Sequence, residues 1–106
     1  MPEIINFLNG HTYTMPSPDE RGHYTFEYLD RQHNNTICAA VFVKITTDML
    51  TDDLIGKRFI SPLHGCDSKY QLPVIYTVLK ITGVDFLCYS ERGGAISREH
   101  CFLELE

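Results

Sequence analysis

Apolar and polar residues alternate with a period of two along most of this chain, and the period of 3.6 that marks a helix is scarce. The plainest stretch is residues 23–29, where Tyr24, Phe26 and Tyr28 point one way and Thr25 and Glu27 the other. Residues 3–8 and 11–14 predict two short strands around Asn9-Gly10, the strongest hairpin signal in the chain. Pro16 and Pro18 bar both helix and ladder from the connection that follows. Beyond the polar turn at 30–35, residues 36–45 predict a strand buried on both faces at its centre.

One segment reads as helical. Thr46 or Thr47 can cap residues 46–53, with Met49, Leu50 and Leu54 facing inward and Gly56 ending the turn. Residues 57–60 predict a strand that enters a loop over 61–72, long for a small domain. Residues 73–82 and 84–91 predict a strand pair joined at Thr82-Gly83. After a turn at Arg92-Gly93-Gly94, a strand begins at 95–96, Ser97 caps a helical turn, and residues 101–105 form a last strand.

This order predicts a mainly β fold, or α+β with one short helix. From Gly56 onward the spacing is that of a small antiparallel sheet, an SH3-like partly open barrel in the C-terminal half. The N-terminal hairpin and strands are expected to pack on it. The length of 106 residues suits one domain over residues 1–106, with 43% hydrophobic and 22% charged residues in the globular range.

Charge narrows the choice of partner. Residues 1–53 carry eight acids and three bases, the rest six of each, and the net charge is -5. Duplex nucleic acid is therefore an unfavourable partner, whereas an acidic half can meet a basic protein surface. The longest apolar run, 37–43, is far below the roughly 20 residues needed to cross a bilayer, and no signal-peptide pattern opens the chain. No membrane association is expected. Cys38, Cys88 and Cys101 sit in strand-like segments, so reduced thiols and a cytoplasmic location are expected.

The sequence holds no phosphate-binding glycine loop, nucleophile elbow or zincin motif. His64, Cys66, His100 and Cys101 match the ligand number of structural zinc, but His100 and Cys101 are adjacent and face opposite ways on a strand. Cys66 has His64 two residues away, yet Asp67 beside it opposes thiolate formation. The expectation is accordingly no enzyme, no catalytic residues, no metal and no cofactor.

Tyrosines near strand edges and loops supply anchors for partners. The expected binding residues are Tyr70 with Lys69 in the long loop, Arg92, Arg98, Tyr28 and His64. The leading expectation is a non-catalytic binding protein, a small regulator or inhibitor that occupies a partner protein's surface. One alternative is a nucleotide-type small ligand, held by Tyr70, Lys69, Arg92 and Arg98; another is zinc- or thiol-dependent activity at His64 and Cys66. Exposed strand edges also fit a homodimer.

Overall fold

A computed structural model describes residues 4–6, 12–62, 66–67 and 69–105. Its longest ladder joins β3 (His23–Asp30) to β4 (Thr36–Lys44), in unbroken antiparallel register from His23 opposite Val43 to Asp30 opposite Thr36. The turn between them is set by side chains. Asp30 accepts a hydrogen bond from the Gln32 N–H at the start of a 3₁₀ turn over Arg31–His33. Asn34 and Asn35 then take left-handed backbone at φ 57° and 55°, which asparagine tolerates better than most residues.

Before this ladder, β1 (Ile4–Asn6) pairs with β2 (Thr12–Thr14) as expected, while the Asn9-Gly10 turn lies outside the described residues. The helical segment expected at 46–53 resolves into two separate 3₁₀ turns, Thr47–Met49 and Asp52–Leu54. Extended backbone at Thr51 (φ −124°, ψ 171°) divides them. Only Leu54 of the two turns is buried.

Next come β5 (Arg58–Ile60), the short pair β6 (Cys66–Asp67) and β7 (Leu72–Pro73), and then β8 (Ile75–Thr77). The strand expected over 73–82 bends at Val78–Leu79. Its second half, β9 (Lys80–Thr82), joins β10 (Phe86–Cys88) and β11 (Ala95–Ser97) in a three-stranded sheet. A 3₁₀ turn at Arg98–His100 leads into β12 (Phe102–Glu104).

The fold is mainly β. Its principal sheet has five antiparallel strands in the order β3-β4-β12-β5-β8, and it curls into a half-barrel. The curl follows from the packing. Phe26 and Tyr28 on β3 share one buried cluster with Ile75 on β8, at the far side of the sheet. In a flat sheet, four strand spacings of about 4.8 Å would hold them nearly 20 Å apart. An isolated parallel bridge from Leu29 to Val74 draws the two margins together.

The enclosed face carries Phe26, Phe42, Phe102, Ile60 and Ile75, with Met15 packed against them. Phe26 meets Phe42 edge-on at 5.5 Å between ring centroids. The opposite face of β5 and β12 packs Phe59 and Leu103 against Leu87 and Ile96 of the smaller sheet, with Ile45, Leu54, Val78 and Cys101. Each face of β5 thus belongs to a different core.

Candidate functional site

The enclosed face changes character along its strands. On β3 the inward series runs Phe26, Tyr28, Asp30; on β12 it runs Phe102 to Glu104; on the antiparallel β5 it runs Ile60 to Arg58. One end of the half-barrel is therefore apolar and the other ends in a polar plug. Arg58 Nε and NH2 donate to the two oxygens of Glu104 at 2.9 and 2.8 Å. NH1 donates to Asp30 Oδ2 at 2.9 Å, and NH2 also reaches the Tyr28 hydroxyl at 3.2 Å. That hydroxyl donates to Glu104 Oε2 at 2.9 Å, and His33 Nδ1 lies 2.7 Å from Asp30 Oδ2.

The plug sits in a poorly solvated place, with Asp30 and Tyr28 both buried. Burial pulls the Asp30 carboxyl upward, but hydrogen bonds from His33, Arg58 and the Gln32 N–H outweigh it and hold it below the usual carboxylate range. Burial, reinforced by the Glu104 carboxylate, pushes the Tyr28 phenol up to about 12. Burial disfavours the Arg58 charge, yet its bonds to Glu104 raise its pKa further. Each carboxylate here is hydrogen-bonded to the one guanidinium of Arg58, so the arrangement fixes the geometry of the three strands it joins.

Asp67 extends this end of the molecule. Its Oδ2 accepts from Arg31 NH2 at 2.6 Å, beside the plug residue Asp30 in sequence, and Arg31 holds the Asp67 carboxyl down. Its Oδ1 accepts the backbone N–H groups of Lys69 (2.9 Å) and Tyr70 (3.1 Å). Lys69 Nζ stands 5.3 Å from the centre of the Tyr70 ring. Of the expected binding residues, Tyr28 thus lies in the plug, and Lys69 and Tyr70 are linked to its rim through Asp67 and Arg31.

The other expected residues are placed elsewhere. Arg98 forms a two-point pair with Asp85 at 2.7 and 3.0 Å. Arg92 is exposed in a turn where its N–H donates to Ser90 Oγ. His64 lies outside the described residues, as does the Cys66 side chain. A cavity of about 270 Å³ opens among Leu79, Lys80, Cys88, Ser90, Glu91 and Gly93. Tyr70, Lys69, Arg92 and Arg98 do not line it.

Cys38, Cys88 and Cys101 are free thiols, and burial pushes the Cys101 thiol up to about 12. Among the described residues no three histidine, cysteine, aspartate or glutamate side chains gather as a metal site, and no helix is long and apolar enough to cross a membrane.

No family model matches the chain, and comparison with curated proteins and with solved structures likewise returns no match.

The sequence reading passed over Arg58, Asp30 and Glu104. A signal was present: Arg58 and Glu104 occupy the inward phase of their strands, in step with Ile60 and Phe102, and carry opposite charges. The outer face of β4 was also missed, since the strand over 36–45 was expected to be buried on both faces at its centre, where Ala39 and Val41 are exposed. Ile37 is 52% exposed and Val41 40%, with Ala39 exposed between them. Their partners across the ladder, Leu29, Thr25 and Glu27, belong to β3, and no second layer of described residues covers this row.

Proposed function

We propose that this is a non-catalytic binding protein, a small regulator or inhibitor that occupies the surface of a partner protein. The observation that carries the reading is the row Ile37, Ala39 and Val41 on the outer face of β4. Alternate residues of a strand form one continuous patch, and apolar patches on soluble domains commonly serve as contact surfaces. The hydrogen-bonded plug supports a structural role for this end of the sheet, because it ties together β3 and β12, the two strands that flank β4. The acidic balance of residues 1–53 suits a partner whose apolar contact is rimmed by lysine and arginine. The free thiols accord with a reducing cytoplasm.

The test is affinity capture with wild-type protein beside the Ile37→Asp, Val41→Asp double variant. A specific protein retained by the wild type and lost by the variant, with circular dichroism unchanged, supports the reading. Identical retention by both proteins, or no specific partner, sinks it.

The cavity beside Cys88 favours a second reading, small-ligand binding. Equilibrium dialysis against a panel of nucleotides checks it, and a Leu79→Arg change, which fills the mouth, should abolish any retention.

A further inference from the structure

The three-stranded sheet has one face in the core and one in solvent. Leu87 and Ile96 enter the core, so Phe86 and Cys88 of β10 face outward, beside Lys80 and Thr82 of β9 and Ala95 and Ser97 of β11. Phe86 is 45% exposed, and Val84 in the β9–β10 turn is 91% exposed. The Phe86 ring leans over Gly83, where an added Cβ would meet its edge at 3.9 Å, and so away from Cys88. Asp85, between the two apolar side chains, is held at two points by Arg98, so this projection carries no free charge. On the other side of Leu87 the face is hollow. There the cavity of about 270 Å³ opens beside Cys88, Ser90 and Gly93, with Leu79 and Lys80 on its wall. A projection and a hollow thus share one face, with Phe86 about 7 Å from Cys88 along the strand.

We propose that two copies of this chain stack these faces about a two-fold axis that lies between the two sheets and crosses β10 at Leu87. The rotation reverses the strand, so Phe86 of each copy stands over Cys88 of the other and Val84 over Ser90, both of which line the cavity. Each ring then enters the other copy's hollow. A dry cavity of about 150 Å³ already accommodates benzene, so the space is sufficient. The same rotation sets Lys80 opposite Thr82 and Ala95 opposite Ser97, so no like charges meet on these strands.

A second copy is the occupant because projection and hollow lie at equal distances on either side of Leu87, which is the self-complementarity an isologous contact requires. No strand edge takes part, so nothing already bonded to an edge has to move. The face belongs to a different sheet from the Ile37, Ala39 and Val41 row, so this inference stands apart from the partner-binding reading. It competes with small-ligand binding for the cavity. The contact is smaller than a standard interface, and the dimer is therefore concentration-dependent.

Sedimentation velocity of the full chain from about 10 µM to about 1 mM tests it. Wild type should pass from monomer to dimer across that range. Phe86→Ser withdraws both rings from the contact and should weaken the dimer about tenfold. Val84→Ser, at a position too exposed to disturb the core, should weaken it about threefold. Leu79→Arg, which fills the mouth of the hollow, should act like Phe86→Ser, and Val41→Asp on the other sheet should leave the dimer unchanged. Circular dichroism of each variant separates lost stacking from lost folding. Amide resonances that move on dilution of the wild type should fall within residues 79–97. A wild-type chain that stays monomeric at the top concentration overturns the proposal, as does a dimer indifferent to Phe86→Ser and Val84→Ser, or one whose dilution shifts fall on β3 and β4.

Discussion

Arg58 and Asp30 belong to strands separated by two others in the sheet, yet the guanidinium reaches the carboxylate at 2.9 Å. Three strand spacings on a flat sheet would hold them roughly 14 Å apart. The pair therefore reports the curl, and it also fastens it. Burying aromatic rings on the enclosed face drives the sheet to bend, and the ion pair ties β3 to β5 once bent.

Removing the guanidinium should expose this dependence. Arg58→Ala leaves Asp30 and Glu104 facing each other's field without compensation. The cost expected is roughly 2–4 kcal/mol, somewhat below the range for broken fully buried pairs because Arg58 retains some solvent contact. Replacing the group together (Asp30→Asn, Arg58→Met, Glu104→Gln) should recover most of it, since no charge is then stranded. Urea unfolding of the two proteins gives the comparison, and equal losses would count against the plug as a coupled unit.

Tyr28 offers a spectroscopic check on the same cluster. Its phenol is pushed up to about 12 from an ordinary value of 10.0. The folded protein resists ionising it while the unfolded chain does not, so stability falls as pH rises from about 10 toward 12. Absorbance at 295 nm should show a late-titrating tyrosine that disappears in Tyr28→Phe. A late tyrosine that persists in that variant would assign the signal to Tyr76, which burial also raises.

At the acid end the sign reverses. Asp30, Asp67 and Asp85 are all held below the ordinary aspartate value of 3.8 by hydrogen bonds to His33 and Arg58, Arg31 and Arg98 respectively. Their stabilisation is present above that value and is lost as pH falls through the lowered folded values, because the unfolded chain takes up protons first. Unfolding free energy should therefore decline below about pH 4, and less steeply in Asp30→Asn, which has one fewer carboxyl to protonate. Parallel denaturation curves between pH 2 and 5 in the two proteins would contradict the assignment for Asp30.

Period-two alternation and turn residues made the strands legible, because both are local properties. Tyr24, Phe26 and Tyr28 do share a face, Gly56 does take left-handed backbone, and Ser97 does precede the final turn. What local pattern could not carry was partnership. Nothing near residue 102 tells that β12 lies between β4 and β5, so the half-barrel, placed by spacing in the C-terminal half, in fact also draws in β3 and β4. The bend at Val78–Leu79 is equally hidden, since both halves of residues 73–82 have strand character and only their distant neighbours divide them. The plug shows the same limit. Arg58 and Glu104 lie 46 residues apart, and only the register of β5 against β12 makes them a pair.

The central place of β12 also imposes an order in time. During synthesis β3 and β4 emerge before the rest of the sheet and can form their ladder at once, whereas β5 and β8 have no continuous ladder to β4 until residues 102–104 appear. For that interval Phe26, Phe42 and Ile60 face water, and a nascent chain in this state is vulnerable to sticking to others. A topology so dependent on distant pairings folds slowly, on the scale of milliseconds to seconds. β12, made after the strands on either side of it, is thus the keystone, and how quickly it docks decides how long those strands need protection.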